Sequence, residues 1–463
     1  MQKTKKSAEF TEGPIFFRML IFAVPIMLSG VLQLLYNMAD NVVVGQFSGD
    51  PNALAAVGST GALTNMIVNL LMGLSVGSGV VVAQYFGAKQ EKEISRTVHT
   101  SLTISLIGGI IFGLFGVLSA RHLLELMKTN AEVIDSATLY ITIIFLGVPA
   151  SSVFNFGSTI LRSVGDSRRP LIILASTGLV NVAFNLFFVI VCHMGVAGVA
   201  IATIISQYLS AAAVVAILMR SDECYQFRFK KICIDKEIFG KILRMGIPSG
   251  IQGTLFSLSN VMIQSSINTF PPTTISGNTA GSTIDGFTYT VMNSFYHAAL
   301  TFTGQNYGAG KRKRIYKVLL YALLQVTVIG IGVGFLEICF ARELASLFVD
   351  QSQPHAAAVI EAAVTRLDFM LRCYFLCGIM EVLTGHLRGL GYSIVPMLSS
   401  LFGACVFRIA WIMFVFPLEG FNTPIGLYWS FPLSWLLTCI LHLITCIAAR
   451  KKVKHLTPSP QTA

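Results

Sequence analysis

The sequence predicts an all-α integral membrane protein, with about twelve transmembrane helices in two pseudo-symmetric six-helix bundles. Three observations point there. Of 463 residues, 54% are hydrophobic and only 12% charged, with a mean hydropathy of +0.70, whereas soluble domains run near ~25% charged. Apolar runs close to the ~20 residues that a helix needs to cross hydrocarbon recur along the chain, and the ~10-residue alternation of a membrane barrel is missing. Finally, the chain repeats itself. QYFGAKQEKEISR at 84–96 is matched by QNYGAGKRKRIYK at 305–317, and LRSVGDSRRP at 161–170 by LRGLGYSIVP at 387–396. Pro25 and Pro248, then Gly198 and Gly426, recur at nearly the same offset. Two copies of about 220 residues, each with an even number of spans, start on the same side of the membrane as parallel repeats.

The spans are expected at 16–44, 53–83, 97–119, 137–160, 171–192 and 197–219 in the first copy. Those of the second are expected at 242–269, 275–303, 316–340, 365–387, 395–416 and 425–448. The domain reading is therefore an N-terminal bundle (1–220), a linker (221–241), a C-terminal bundle (242–449) and a polar tail (450–463). The opening MQKTKKSAEFTEGP is basic, but the apolar run behind it is too long for a signal-peptide core and reads as a retained first span. The cation-free 45–52 suits an outer loop. Small residues Gly73, Ser75, Gly77, Ser78 and Gly79 let the second span approach a neighbour closely.

The net charge of +11 does not indicate nucleic acid, because it is ordered by loop. Most of the 33 Lys and Arg fall on the side that carries both termini, which the positive-inside rule places in the cytoplasm. The linker, rich in Lys, Arg, Asp and Glu with interspersed aromatics, reads as a strap lying on anionic headgroups. Nine cysteines, scattered through apolar segments, give no disulfide framework and no metal site.

The first span carries a carboxylate where membrane segments rarely hold one. Gln33, Asn37 and Asp40 fall at i, i+4 and i+7 with Tyr36 alongside, one polar stripe on an otherwise oily helix. A charge at the bilayer centre costs roughly 2.5 to 3.5 kcal/mol on insertion scales, so Asp40 should face protein or a watery cavity. Other spans of the first copy carry stripes that suit the walls of such a cavity. They are Asn65 and Asn69; Ser151, Asn155, Ser158 and Arg162; Thr177, Asn181 and Asn185; and Thr203, Gln207 and Ser210. Each stripe alone is also explained by interhelical hydrogen bonding. In the second copy the position of Asp40 is Ile263, that of Asn155 is Glu381, and Arg408 lies within the eleventh span. Glu381 suits an ion pair or a substrate contact equally. His297, Asp285 and Glu337 are weaker candidates.

These segments resemble the multidrug and toxic compound extrusion (MATE) family. The residues that bear the likeness are YNMADNVVVGQFSG, LAAVGS at 54–59, YFGAK, LRSVGDSRRP, and NVAFN followed by GVAGVAIAT at 181–203. Their order and spacing cover nearly the whole chain. The resemblance implies two bundles around a cleft that opens alternately to either side, with efflux driven by inward sodium or proton flow. It places the coupling carboxylate on Asp40 and its fifth-span asparagine on Asn181, with Thr203 a polar position of the sixth span. Many members carry Asp where this chain has Asn185, and the missing charge favours a proton over sodium at Asp40.

The expected function is a secondary active antiporter that exports amphipathic, often cationic organic compounds in exchange for H+ or Na+. Asp40, Asn181, Asn185 and Thr203 would carry the coupling. Gln33, Tyr36, Asn37, Asn65, Asn69, Asn155 and Glu381 would line the substrate cavity. No cofactor is expected, nor any metal beyond sodium at Asp40. The expected partners are small organic molecules and the bilayer of the cell membrane, with the chain a monomer. The alternative is a lipid or glycolipid flippase of the same superfamily, which should have a strongly cationic cavity. An enzyme would need clustered His, Ser/His or metal-ligand spacings, and the eight His are dispersed.

Overall fold

The computed structural model describes residues 10–48, 53–349, 351 and 354–454. Lys3, Lys5 and Lys6, the end of the predicted 45–52 loop and most of the tail lie outside them. The described residues form helices and connecting turns, with no strand. The first half contains α1 (Ile15–Phe47), α2 (Ala53–Gly87), α3 (Glu91–Leu126), α4 (Ile134–Ser163), α5 (Arg168–Leu186) and α6 (Gly195–Met219). The second begins with α7 (Lys236–Ile267), α8 (Pro272–Gly308), α9 (Arg312–Cys339), α10 (Ala341–Phe348) and α11 (Ala356–Gly389). It ends with α12 (Ile394–Ser400), α13 (Phe407–Ala410), α14 (Pro424–Tyr428) and α15 (Ser430–Lys454). Among the described residues, nine helical segments are long and apolar enough to cross a membrane. The other three predicted spans are the long helices α7, α8 and α11, whose polar residues keep them outside that class. The short α10 was not expected from the sequence.

By packing, the chain divides into two units, and the boundaries fall inside helices. One unit contains Leu28–Gly253; the other contains Phe10–Met27 and the chain from Thr254 onward. The leading part of α1 thus packs with the second unit, and the linker and the leading part of α7 with the first. Both α1 and α7 carry an internal proline, Pro25 and Pro248, close to the point where the chain passes from one unit to the other. A proline inside a helix removes one backbone hydrogen bond and crowds the preceding turn.

The repeat is visible in how helices end. After α2 and α8, Gln90 N–H donates to Tyr85 O (3.0 Å) and Lys311 N–H to Asn306 O (2.9 Å). After α4 and α11, Asp166 N–H donates to Leu161 O (2.9 Å) and Tyr392 N–H to Leu387 O (3.0 Å). Each closes the six-residue loop that caps a helix through one left-handed residue. Those residues are Lys89 (φ 57°), Gly310 (φ 67°), Gly165 (φ 91°) and Gly391 (φ 88°).

In the first unit, α2 meets the leading part of α7 backbone to backbone. A Cβ on Gly73 would sit 2.1 Å from Gly250 N, and one on Gly77 would sit 2.3 Å from Ile242 O. Apolar side chains fill the spaces among α2, α3, α4 and α6, with Phe145, Phe156, Ile160 and Leu161 fully buried. The second unit packs Phe295, Phe302, Leu367, Leu383 and Leu387 into one continuous core. Its opening segment is held by side chains of the repeated motif. Phe10 N–H donates to Gln305 Oε1 (2.9 Å), Asn306 Nδ2 and Arg314 donate to Phe10 O (3.2 and 3.1 Å), and Phe10 stacks on Phe302.

Candidate functional site

Tyr36 and Asp40 of the α1 stripe meet α5. Tyr36 donates to the carbonyl of Ala175 (3.2 Å), and its ring sits against Gly178, where a Cβ would come within 1.9 Å of a ring carbon. Only glycine at 178 leaves room for that ring. One turn further along α1, Asp40 Oδ1 accepts a hydrogen bond from Asn185 Nδ2, which also reaches Asn181 Oδ1 at 3.3 Å. Asn185 is wholly buried and Asn181 nearly so. Among the described residues, the buried Asn185 Oδ1 has no hydrogen-bond partner. The line continues on α5 to Thr177, which accepts from Ser210 of α6 at 2.8 Å.

Two features beside Asp40 carried no sequence signal that singled them out. Tyr140 of α4 packs against the valine cluster Val43, Val44, Val189, Val196 and Val199 that closes this end of the site. One residue beyond Asn185, α5 gives way to a π-helical turn, Phe187–Val191, a deviation that recurs at functional sites.

Of the residues assigned to coupling, Asp40, Asn181 and Asn185 form one hydrogen-bonded set, whereas the Thr203 hydroxyl donates to Val199 O of its own helix (2.9 Å). Gln33 and Asn37 are exposed and bonded to each other at 3.4 Å. Asn65 is exposed and Asn69 half-buried on α2. Asn155 donates back to Ser151 O (2.9 Å), one turn earlier on α4.

The second unit holds its charges differently. Ile263, which stands where the first copy has Asp40, is buried among apolar side chains. Asp285 of α8 is bound by Arg366 of α11 at 2.8 Å, both side chains being 7% exposed. Arg366 also donates to Asn278 Oδ1 (2.8 Å) and lies over the ring of Tyr428. The sequence named Asp285 but not its partner. Glu381 Oε2 accepts from Asn293 (3.5 Å), while Arg408 donates to Ser434 (2.9 Å) and Asn260 (3.2 Å) rather than to Glu381. His386 Nδ1 is bonded to Thr303 at 3.0 Å.

Membrane-length apolar helices in two packing units, with charged groups held inside each, suit a membrane transporter. The fold is that of a MOP superfamily transporter from Pyrococcus furiosus (TM-score 0.88, 22% identity, 98% of this chain and 99% of that one). It is equally that of a MATE transporter in its bent conformation (TM-score 0.85, 21% identity, 98% and 99%). The MatE family model matches residues 25–187 and again 248–413, one match in each copy of the repeat. The chain belongs to the MatE family. Among its relatives is the probable multidrug resistance protein YoeA of Bacillus subtilis, 27% identical over 83% of each chain. The multidrug export protein MepA of Staphylococcus saprophyticus is 21% identical over 91% of each.

Proposed function

We propose that the chain is a secondary active antiporter that exports amphipathic, often cationic organic compounds in exchange for inward-moving protons, with Asp40 as the exchanging group. The observation that carries this reading is that, among the described residues, Asp40 is hydrogen-bonded to an amide and to no cation. Asn185 directs an N–H at one carboxylate oxygen while its own buried oxygen lacks a partner there. A protonated carboxyl can donate to that oxygen and close a paired acid–amide ring, so the seat suits both states of Asp40. Sodium, the rival ion, takes oxygen ligands. Here it would have the carboxylate and amide oxygens, with an N–H of Asn185 occupying one carboxylate lone pair.

Taking up a proton neutralises the Asp40 carboxylate and favours the packing that releases substrate on the outer side. Thr203, a polar position of α6, would complete this set. Gln33, Tyr36, Asn37, Asn65, Asn69, Asn155 and Glu381 contact substrate. Export fits the relatives' names, and the balance of cations supports a cell-membrane chain, read here as a monomer, with both termini inside. Reconstituted in liposomes, the chain should move a fluorescent organic cation under an imposed proton gradient, and Asp40→Asn should reduce this to background. Movement under a sodium gradient alone would make sodium the coupling ion. If neither gradient moves the dye, the antiporter reading fails and a lipid-flipping assay is the next measurement.

A further inference from the structure

Between α6 and α7 the chain runs through a strap whose ends are buried and whose middle is not. Tyr225 and Phe227 are sunk in the core of the first unit, 1% and 5% exposed. Arg228 N–H then donates to His99 Nε2 (3.0 Å), whose Nδ1 is bonded to Ser95 O, and Asp235 N–H donates to Thr100 Oγ1 (3.1 Å). Asp235 also pairs with Arg96 and accepts the backbone N–H groups of Glu237 and Ile238 that open α7. Fixed at both ends on α3, residues 228–234, RFKKICI, are all exposed. Phe229, Ile232 and Ile234 stand 59%, 51% and 45% open, and Arg228, Lys230 and Lys231 lie among them with no anion in the run.

The height of this run on α3 says what covers it. Its anchors lie at residues 96–100, and the first large apolar side chains that α3 exposes are Leu106 and Ile107. Six or seven residues of helix span about 10 Å, slightly more than the roughly 5 to 8 Å headgroup layer on each face of a bilayer. We infer that residues 228–234 dock onto the membrane surface, with Phe229, Ile232 and Ile234 inserted at the headgroup boundary and Arg228, Lys230 and Lys231 bound to anionic lipid headgroups. Charge complementarity and three exposed apolar anchors on a pinned backbone select a lipid surface over a soluble partner. The inference requires only that the chain spans a bilayer, and it stands or falls independently of the coupling mechanism.

The test places Phe229→Trp in the full chain with Trp411, Trp429 and Trp435 replaced by phenylalanine, in lipid nanodiscs containing brominated phosphatidylglycerol or brominated phosphatidylcholine. The fluorescence of the introduced indole should be quenched more strongly by the anionic lipid. The triple variant Arg228→Gln, Lys230→Gln, Lys231→Gln should erase that preference, each lost cation lowering local anionic enrichment by about fivefold. Equal quenching by both lipids overturns the anionic assignment. Quenching by aqueous acrylamide alone overturns docking altogether. A nitroxide on exposed Cys233, with exposed Cys192 and Cys339 replaced by serine, gives a second reading that leaves the tryptophans intact. Collision with oxygen above collision with a soluble nickel complex supports docking, and the reverse order refutes it.

Discussion

Asp40 and Asp285 are both carboxylates in long helices of a membrane protein, and their surroundings give them opposite capacities. Asp285 is locked to Arg366 at 2.8 Å in a buried pair whose guanidinium is further held by Asn278 and covered by Tyr428. The pair is neutral as a unit, and pulling a proton or cation into it means first breaking the ion pair. Asp40 is hydrogen-bonded to an amide that both donates and has an oxygen to spare. The comparison teaches that intramembrane acidity alone does not locate a coupling site; the partner's chemistry decides.

The sharpest way to break the comparison is to remove the cation. Arg366→Met leaves Asp285 buried without its partner and should cost about 3 to 5 kcal/mol, seen as a large fall in the thermal midpoint of the purified protein. Arg366→Met combined with Asp285→Leu should recover most of that loss, since a buried ion pair replaced by apolar side chains is often neutral or stabilising. Asp40→Asn should leave the midpoint nearly unchanged while transport falls to background. If both aspartates proved equally costly to fold stability, Asp40 would be structural too.

A gentler change converts the amide seat into an acidic one. Asn185→Asp places a second carboxylate beside Asp40, and two acids hold a sodium ion better than one. The variant should gain in dependence on sodium, read as faster transport under a sodium gradient than the parent shows.

Smaller effects follow from the helix ends. Gly310→Ala puts a side chain at φ 67° and should destabilise by about 1 kcal/mol or more, whereas Lys89→Gly removes a left-handed lysine and should stabilise by about as much. Opposite shifts of the melting midpoint at matched positions of the repeat would check this.

The smallest effect depends on pH. The backbone N–H of Ile238, with help from Arg96, holds the Asp235 carboxyl below its ordinary value of 3.8. A depressed carboxyl contributes stability above its unfolded pKa and loses it as pH falls through the folded value. Asp235→Asn should therefore lower the melting midpoint at neutral pH, and the difference from the parent should shrink in acid below the ordinary aspartate range.

Much of this architecture was legible in the sequence because it is written in local patterns. The repeated motifs at 84–96 and 305–317 mark helix caps that recur in the structure, and the run of apolar segments pointed to the all-helical class. Asp40 stood out since a carboxylate in an oily helix is costly wherever it points. The partners were harder to read. Asn185 appeared in a stripe, but which group its amide would face depends on how α5 packs on α1. Arg366 drew no notice because it sits in the first turns of its predicted span, where a snorkelling arginine is ordinary; only packing turns it inward to Asp285. The assignment of helix fragments to units was equally hidden, since α1 and α7 read as continuous helices and nothing local says that their two ends have different neighbours.

That exchange of helix fragments has a consequence for biosynthesis. Residues 10–27 leave the ribosome well before the side chains that receive them, Phe302, Gln305, Asn306 and Arg314, which are made almost 300 residues later. The first unit in turn is unfinished until Gly253 has been translated. Neither half is a self-sufficient product, so a gene cut at the linker would yield two fragments that mature only when made together.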